Sequence, residues 1–517
     1  MEGMPRFPFI APDFKQPLSL LVECGFREQL NQYIRDHFNQ DPREFSAAMD
    51  ELLTMREQIS HPAPSDEMAI TMKRYYAQML MLSNRFPLDG KHPEIVIPYS
   101  WADSLSDTPQ CMQYTDVSFE LANVLYNLAA CHAQLAVGTP REKDGDIKRA
   151  FTHFGYAAYP LQVIRDEMNA SNKYGSVDFD RDTISFYLNV LMAQAQECMV
   201  EKALVESRKP LIIARLTSHL HDVYARCKEH IDQSQLGDMI AGQKHKDWLR
   251  MCDMKAQVYG AICMLYLGMD AEEREKRGER LGYYKAAAGH VKAARAAAAK
   301  EKRIEYLETI AFVDDVVSAK ESNAQKENDV IYHERIPKPE EIKLAEPLSM
   351  ACAYSFNAMD RSVAGDDLFR SLLPPSVMKA ASEYDEEKAK LIREVLEKVE
   401  AHRIELDQCL DRMDLARLSE YLKRPHGKDG ANYSAGAWPN ALLAANAYFS
   451  TEAKGAIPDL LEEIRKANAS SHACDAVLSS VATRLDAIDM PELAADEGVQ
   501  HIRREIEKLA ASSMQAK

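Results

Sequence analysis

Apolar residues recur at helical spacing along most of the chain between about residues 115 and 325. The segment SFELANVLYNLAACHAQLAVG has them every three or four positions, and Gly138, Thr139 and Pro140 end it. The same pattern predicts six more helices, near residues 146–168, 182–206, 210–232, 244–269, 271–299 and 302–326. Short turns between amphipathic helices favour antiparallel pairs stacked into a tetratricopeptide-like solenoid, although no strict 34-residue repeat is present.

The first hundred residues mix helical spacing with two short strand candidates, RFPFIA and EIVIPYSW. Proline confines such strands to sheet edges or strand ends. We therefore predict a small N-terminal β element beside the helices.

The pattern changes after Pro337, where prolines become frequent. A long amphipathic helix then follows, and its apolar seam contains Leu391, Val395, Val399, Leu406, Leu410 and Met413. Such a seam needs a partner helix. Beyond it, KRPHGKDGANYSAGAWP predicts a loop and two or three further helices follow, so the predicted fold class is mainly α with a C-terminal helical or coiled segment.

Composition supports a folded chain, with 46% hydrophobic and 28% charged residues among 517. The formal net charge of -17 argues against nucleic acid and anionic lipid as partners, because both require a basic surface. We expect neither a signal peptide nor a membrane span, since no long uncharged apolar run occurs. The ten cysteines form no CxxC pair and indicate reduced thiols in the cytoplasm.

Enzyme signatures are missing from the sequence. There is no GxxxxGK[ST] phosphate loop, no HExxH and no GxSxG, and without a His-Cys dipeptide the HCxxGxxR loop of a tyrosine phosphatase is absent. The histidines lack metal-site spacing. We therefore predict no catalytic residue, metal or cofactor.

One predicted helix, KPLIIARLTSHLHDVYARCKEH, carries a candidate binding surface. Ile213, Leu220 and Val223 form a stripe that packs on the array, whereas Ile212 and Leu216 are displaced around the helix, and Met199 lies beside them after the SRKP turn. On pattern alone, burial of all three in the core is favoured. The alternative is an exposed apolar groove that receives an amphipathic helix of a partner.

Asp144 and Lys148 stand four residues apart near the start of another predicted helix. An exposed ion pair of small energetic value is the default interpretation. Next to an apolar groove, the same pair would instead be a polar rim that sets the register of an incoming helix.

Several dispersed motifs resemble, in order, those of the BRO domain (Bro-one homology domain) family: SFELANVLYNLAACHAQLA, AQAQECMVEKA, RKPLIIARL, KRGERLGYYKAA and KENDVIYHERIP. MEGMPRFPFI, THFGYAAY and HKDWLRMCDMK place the resemblance in the group of the His-domain tyrosine phosphatase and ALIX. It covers roughly residues 5–360, so we expect a BRO domain at 1–360. Residues 361–517 resemble the beginning of an ALIX-type V domain, but are too short for a complete one, which leaves binding of LYPxL-type peptides open.

The resemblance implies a curved helical solenoid whose concave apolar patch binds the C-terminal amphipathic helix of an ESCRT-III charged multivesicular body protein. The patch would consist of Met199, Ile212 and Leu216, with Asp144 and Lys148 as its rim. It also implies that NDVIYH closes the array, that Asn328 and Asp329 bond local backbone, that Val330 and Ile331 anchor the turn, and that the chain then runs back along the domain. Tyr332 matches a tyrosine linked to kinase signalling and is a candidate phosphorylation site; a half-buried structural phenol is the equal alternative.

These expectations describe a non-enzymatic adaptor of endosomal sorting and multivesicular body formation. It would be cytoplasmic and recruited to endosomes through its partners, with ESCRT-0 components as further candidates. Two alternatives stay open: the N-terminal part of a tyrosine-phosphatase-like protein whose catalytic domain is outside this chain, and a curved module that binds membrane surfaces. A clamp for C-terminal carboxylates is a third, and it would need a Lys/Arg/Asn cluster.

Overall fold

The structure is a computed structural model. It describes residues 6–18, 21, 24–106, 111–169, 173–240, 242–373, 375–413, 444–445, 447–448, 459–467, 469–470, 472–473, 476 and 508. The predicted loop KRPHGKDGANYSAGAWP and most of the predicted C-terminal helices lie outside these residues. The chain divides into two compact units, Met1–Pro375 and Ser376–Lys517, and each is considered by itself.

Helices dominate the first unit, as predicted. Three precede the main array: α1 Phe26–Tyr33, α2 Ser46–Ser60 and α3 Asp66–Ser83. The array itself consists of α4 Val117–Gly138, α5 Asp144–Val163, α6 Arg181–Val205, α7 Pro210–Gln233, the short α8 Leu236–Met239, α9 Gly242–Glu273, α10 Arg277–Ala297 and α11 Ile304–Glu327. Each long helix from α4 onwards packs against the next long one, so one hydrophobic core runs through the stack.

A small antiparallel sheet stands at the N-terminal side of the array. Its strands are β1 Gln16–Pro17, β2 Tyr99–Ala102 and β3 Cys111–Tyr114, in the order β1-β2-β3. The sheet confirms the predicted β element, and β2 begins at the last three residues of the predicted strand EIVIPYSW and extends to Ala102.

The other predicted strand, RFPFIA, is not a strand. Phe7 and Phe9 are buried as a strand pattern would suggest, but the backbone of Ile10 bonds to a side chain instead of a neighbouring strand. Gln194 on α6 accepts from Ile10 N at 2.7 Å and donates to Ile10 O at 2.9 Å. Pro8 has no N–H, so the segment could not complete a ladder.

After α11 the chain makes a π-helical turn, Asn328–Tyr332, and reverses. As predicted, the Asn328 side chain bonds local backbone: it donates to Glu334 O and accepts from Glu334 N, each at 3.1 Å. Asp329 instead accepts from the side chain of Gln325. The prediction that Val330 and Ile331 anchor this turn is wrong, because they are 74% and 63% exposed.

Residues 333–356, which we call the strap, then run back across the array, as the family resemblance implied. The strap passes α10 at Gly278, whose N–H donates to Glu334 Oε2 at 2.6 Å. It reaches α7 where Leu348 N donates to Arg215 O at 3.0 Å, and α5 where Tyr354 N donates to Gly155 O at 3.0 Å.

Residues after the strap still belong to the first unit. A short helix, α12 Arg361–Ala364, packs on α3. Gln78 Nε2 donates to Ala364 O at 2.8 Å, and Arg85 Nε donates to Leu372 O at 2.6 Å. The compact unit therefore continues to Pro375, and the boundary after residue 360 stays a prediction about the family domain.

The predicted amphipathic helix is present as α13, Pro375–Arg412. Most of its predicted seam is at the surface, with exposed fractions of 40–60% at Leu391, Val395, Val399, Leu406 and Leu410. Within the described part of the chain, nothing covers this seam.

Candidate partner-binding groove

The candidate groove is built on the hairpin of α6 and α7. Ser207 ends α6 in the left-handed region, with φ 49°, and Arg208 N donates back to Ala203 O at 3.0 Å. This hydrogen bond closes the last turn of the helix. Pro210 is the first residue of α7, where its fixed φ and missing N–H cost nothing.

A buried ionic network fixes the positions of α6, α7 and α9. Lys255 Nζ lies 2.9 Å from Glu197 Oε1, Tyr259 donates to Glu197 Oε2 at 2.8 Å, and Tyr224 donates to Glu197 Oε1. Burial lowers the pKa of Lys255 and the attraction of Glu197 opposes that shift. Removal of one partner would leave a buried uncompensated charge, so the network holds the three helices in one arrangement.

The three predicted apolar groove residues have different environments. Ile212 is 38% exposed and Met199 is partly exposed, but Leu216 is only 1% exposed. The expectation of three exposed groove residues is therefore corrected for Leu216. Its spacing explains the burial, because positions 213, 216, 220 and 223 follow intervals of three and four and form one inward stripe.

Sequence reasoning missed other exposed apolar residues at the same hairpin. Val205 at the end of α6 and Leu211 at the start of α7 are 67% and 44% exposed. The strap adds Met350, which is 49% exposed and whose N–H donates to Gln196 Oε1 at 2.9 Å. Gln196 lies one turn before Met199, so Met350 borders the same surface. Their exposure could have been predicted from the sequence, because Val205 and Leu211 are apolar residues on either side of the predicted turn between two helices.

Charged side chains form a rim beside Met199. Lys148 Nζ lies 2.6 Å from Asp144 Oδ2, and the pKa of Asp144 is lowered by this hydrogen bond. Lys202, which was not predicted, lies 3.6 Å from Asp144 Oδ1 and 3.7 Å from Glu206 Oε1. Because Lys202 is one turn after Met199 on α6, it connects the predicted pair on α5 to the apolar surface.

Tyr332 is half-exposed, away from the groove, at the end of the π-helical turn. It is 41% exposed, and the Arg277 guanidinium lies 5.2 Å from the centre of its ring. This exposure is compatible with access by a kinase, so Tyr332 remains a candidate phosphorylation site.

No cluster of three or more potential metal ligands occurs among the described residues. Within the same residues, no helix has the length and apolar character needed to cross a bilayer.

Comparison with known families matches most of the chain to one family. The model of the family described as "BRO1-like domain" matches residues 13–392. Among curated proteins, human tyrosine-protein phosphatase non-receptor type 23 is 29% identical over 415 residues, which cover 80% of this chain and 25% of that protein. The vacuolar protein-sorting protein BRO1 of Gibberella zeae is 27% identical over 439 residues, 81% of this chain and 43% of that protein. The chain thus spans between a quarter and less than half of these relatives.

Solved structures share the fold. A structure titled "ALIX BRO1 CHMP4C complex" has a TM-score of 0.62 at 20% identity and covers 71% of this chain and 100% of its own. A structure of ALIX with a SIVmac239 late-domain peptide has a TM-score of 0.65 at 18% identity and covers 99% of this chain and 72% of its own. These similarities confirm the predicted curved helical fold.

Proposed function

The chain belongs to the BRO1-like domain family, and on that premise we propose that it is a non-enzymatic adaptor in endosomal sorting. Its partner is an ESCRT-III charged multivesicular body protein, whose C-terminal amphipathic helix binds at the α6–α7 hairpin. The observation that carries the proposal is the exposure of Ile212 and, in part, of Met199 on the paired helices α7 and α6. Lys202, one turn after Met199, lies 3.6 Å from Asp144 Oδ1 of the Asp144–Lys148 ion pair. The ALIX structure with the same fold is named as a complex with CHMP4C, which supports this partner class.

The proposed groove differs from the sequence prediction, because Leu216 is buried instead of exposed. In this proposal the apolar face of the partner helix contacts Ile212, Met199 and the neighbouring Leu211. Leu216 is buried in the core and does not contact the partner. Lys148, Lys202 and Asp144 form one cluster of charges beside these residues, and they pair with charges at the edge of that helix. Apolar anchors give affinity, and rim charges set register and association rate.

The protein acts in the cytoplasm and reaches endosomes through its partners, with ESCRT-0 components as further candidates. Residues 1–360 supply the family domain in this proposal. Tyr332 is a regulatory phosphorylation site. Phosphatase activity is not proposed for these residues, because the sequence has no HCxxGxxR loop.

The test is calorimetric titration of the full chain with a synthetic C-terminal helix of a charged multivesicular body protein. Ile212→Asp places a charge in the groove, and we expect binding to weaken by at least about tenfold. Ile304→Asp on α11 is the matched control, since Ile304 is 63% exposed, and it should bind normally. Normal binding by Ile212→Asp would show that the groove is wrongly assigned.

Leu216→Asp is unsuitable for this test, although Leu216 was predicted as a groove residue. Leu216 is 1% exposed, so an aspartate there would bury an unpaired charge. Loss of binding by that variant would report unfolding as well as loss of contact.

A further inference from the structure

A polar cavity of about 370 Å³ lies in the first unit, on elements that do not form the groove. It opens where α1 and the following π-helical turn, Ile34–Phe38, face the 3₁₀ turn Pro42–Phe45 and the start of α2. Its lining contains three guanidinium groups and a single carboxylate: Arg27, Asn31, Arg35, Asp41, Pro42, Arg43 and Ser46. On a chain with a net charge of -17, this is a local reversal of sign.

The three arginines are not equally compensated. Arg43 forks onto Asp41, with Nε 3.1 Å from Oδ1 and Nη2 2.6 Å from Oδ2. Arg27 pairs with Asp50 outside the lining. Arg35 Nη2 donates to the neutral Gln32 Oε1 at 2.7 Å. In the described part of the chain Arg35 forms no ion pair, although its charge adds to the effect of Arg43 in lowering the pKa of Asp41.

The cavity also contains neutral polar groups. Asn31 Oδ1 is buried and has no hydrogen-bond partner among the described residues. A 180° rotation of this amide would present its NH₂ group instead. The Ser46 hydroxyl accepts from Arg27 Nη1 at 3.3 Å, so its proton is available for another acceptor.

We propose that this cavity binds a phosphate monoester, either the head group of a phosphorylated inositol lipid or the same head group free in solution. A guanidinium matches two phosphate oxygens at once, which favours phosphate at Arg35. The lining holds three guanidinium groups against the one carboxylate of Asp41, so its net charge is positive and its attraction for an anion grows with the negative charge of the ligand. This site does not depend on the function proposed for the groove.

Two variants of the full chain change the charge in opposite directions. Arg35→Gln removes the guanidinium that forms no ion pair. Asp41→Asn removes the repelling carboxylate and keeps the 3₁₀ turn, because Asp41 caps that turn through Arg43 N and asparagine caps equally well. Arg361→Gln, an exposed arginine paired with Asp366, is the matched control.

The measurement is calorimetric titration with inositol trisphosphate, together with co-sedimentation on phosphatidylcholine vesicles with and without a phosphatidylinositol bisphosphate. We expect Arg35→Gln to weaken trisphosphate binding by at least about tenfold, Asp41→Asn to strengthen it, and the control to leave it unchanged. Co-sedimentation that depends on both the phosphorylated lipid and Arg35 would identify a lipid head group, and trisphosphate binding alone would identify a free ligand. Absence of trisphosphate binding at millimolar concentration, or equal binding by wild type and Arg35→Gln, would overturn the proposal.

Discussion

Gln196 on α6 holds Leu348 of the strap through its side-chain amide, with Nε2 donating to Leu348 O at 2.7 Å. The oxygen of the same amide accepts from Met350 N at 2.9 Å, so one fully buried side chain replaces the pairing that a neighbouring strand would give. The strap is thereby fixed to the helix that carries Met199.

Replacement of this amide should loosen the strap. Gln196→Ala leaves two backbone groups of the strap without partners, and we expect a loss of about 2–3 kcal/mol in unfolding free energy. Chemical denaturation measures the loss, and limited proteolysis should show earlier cleavage within residues 344–352. Gln243→Ala, which removes an exposed contact with Asp247, should have no measurable effect. Equal protease resistance of Gln196→Ala and wild type would contradict the role of this side chain.

Gly155 should tolerate no methyl group, although it lies in a helix. A Cβ there would collide with the Tyr354 ring and lie 3.0 Å from Cys352 O, so Gly155→Ala should displace the strap and lower the melting temperature. Gly289→Ala on α10 is the matched control, because a Cβ there has nothing within 4 Å. The control should stabilise by about 0.5–1 kcal/mol through helix propensity alone. Stabilisation by both substitutions would mean that the strap does not press on α5.

Truncation of Leu216 and of Ile212 should lower the unfolding free energy by different amounts, even though both were predicted as groove residues. Leu216→Ala removes a fully buried side chain and should cost about 2–5 kcal/mol of unfolding free energy. Ile212→Ala should cost under about 1 kcal/mol, because the side chain is 38% exposed. Urea denaturation of both variants measures these losses of unfolding free energy. Similar losses would contradict the difference in burial between the two side chains.

A buried histidine pair should make the first unit sensitive to acid. His132 Nδ1 and His153 Nδ1 are 3.1 Å apart, and burial, with Lys73 and His153 nearby, lowers the pKa of His132 to about 3. In the unfolded chain a histidine titrates near 6.5, so the unfolded state takes up the proton first. Stability is therefore complete above that pH and falls as the pH drops toward 3, by about 2 kcal/mol between pH 7 and pH 5.

The measurement is the unfolding free energy in urea as a function of pH. His132→Asn should flatten this dependence between pH 7 and pH 5, whatever its effect on absolute stability. His402→Asn, at an exposed position on α13, should leave the slope as in wild type. An unchanged slope in His132→Asn would assign the acid sensitivity to other groups.

Much of the first unit follows from local pattern. Helices α5 to α7 begin and end within a few residues of their predicted bounds, because apolar spacing and turn residues such as Pro210 act locally. The burial of Leu216 was also available from its spacing to Ile213 and Leu220. The fork of Arg43 on Asp41 is equally local, since the two residues are neighbours in sequence.

Other features depend on contacts between distant segments. The Gln196–Leu348 hydrogen bond joins residues 152 positions apart, and no periodicity reports such a pair. The exposure of Val330 and Ile331 depends on the packing of the turn against α10. Their apolar character alone therefore predicted burial, which is wrong. The same holds for Arg35, because only the placement of its neighbours shows that it forms no ion pair in the described part of the chain.

The strap also sets an order of events during synthesis. A ribosome makes α5, α6 and α7 well before residues 333–356, so the carbonyl of Gly155 and the amide of Gln196 wait for partners that have not yet emerged. A nascent array is thus incomplete along one side until its own later residues arrive.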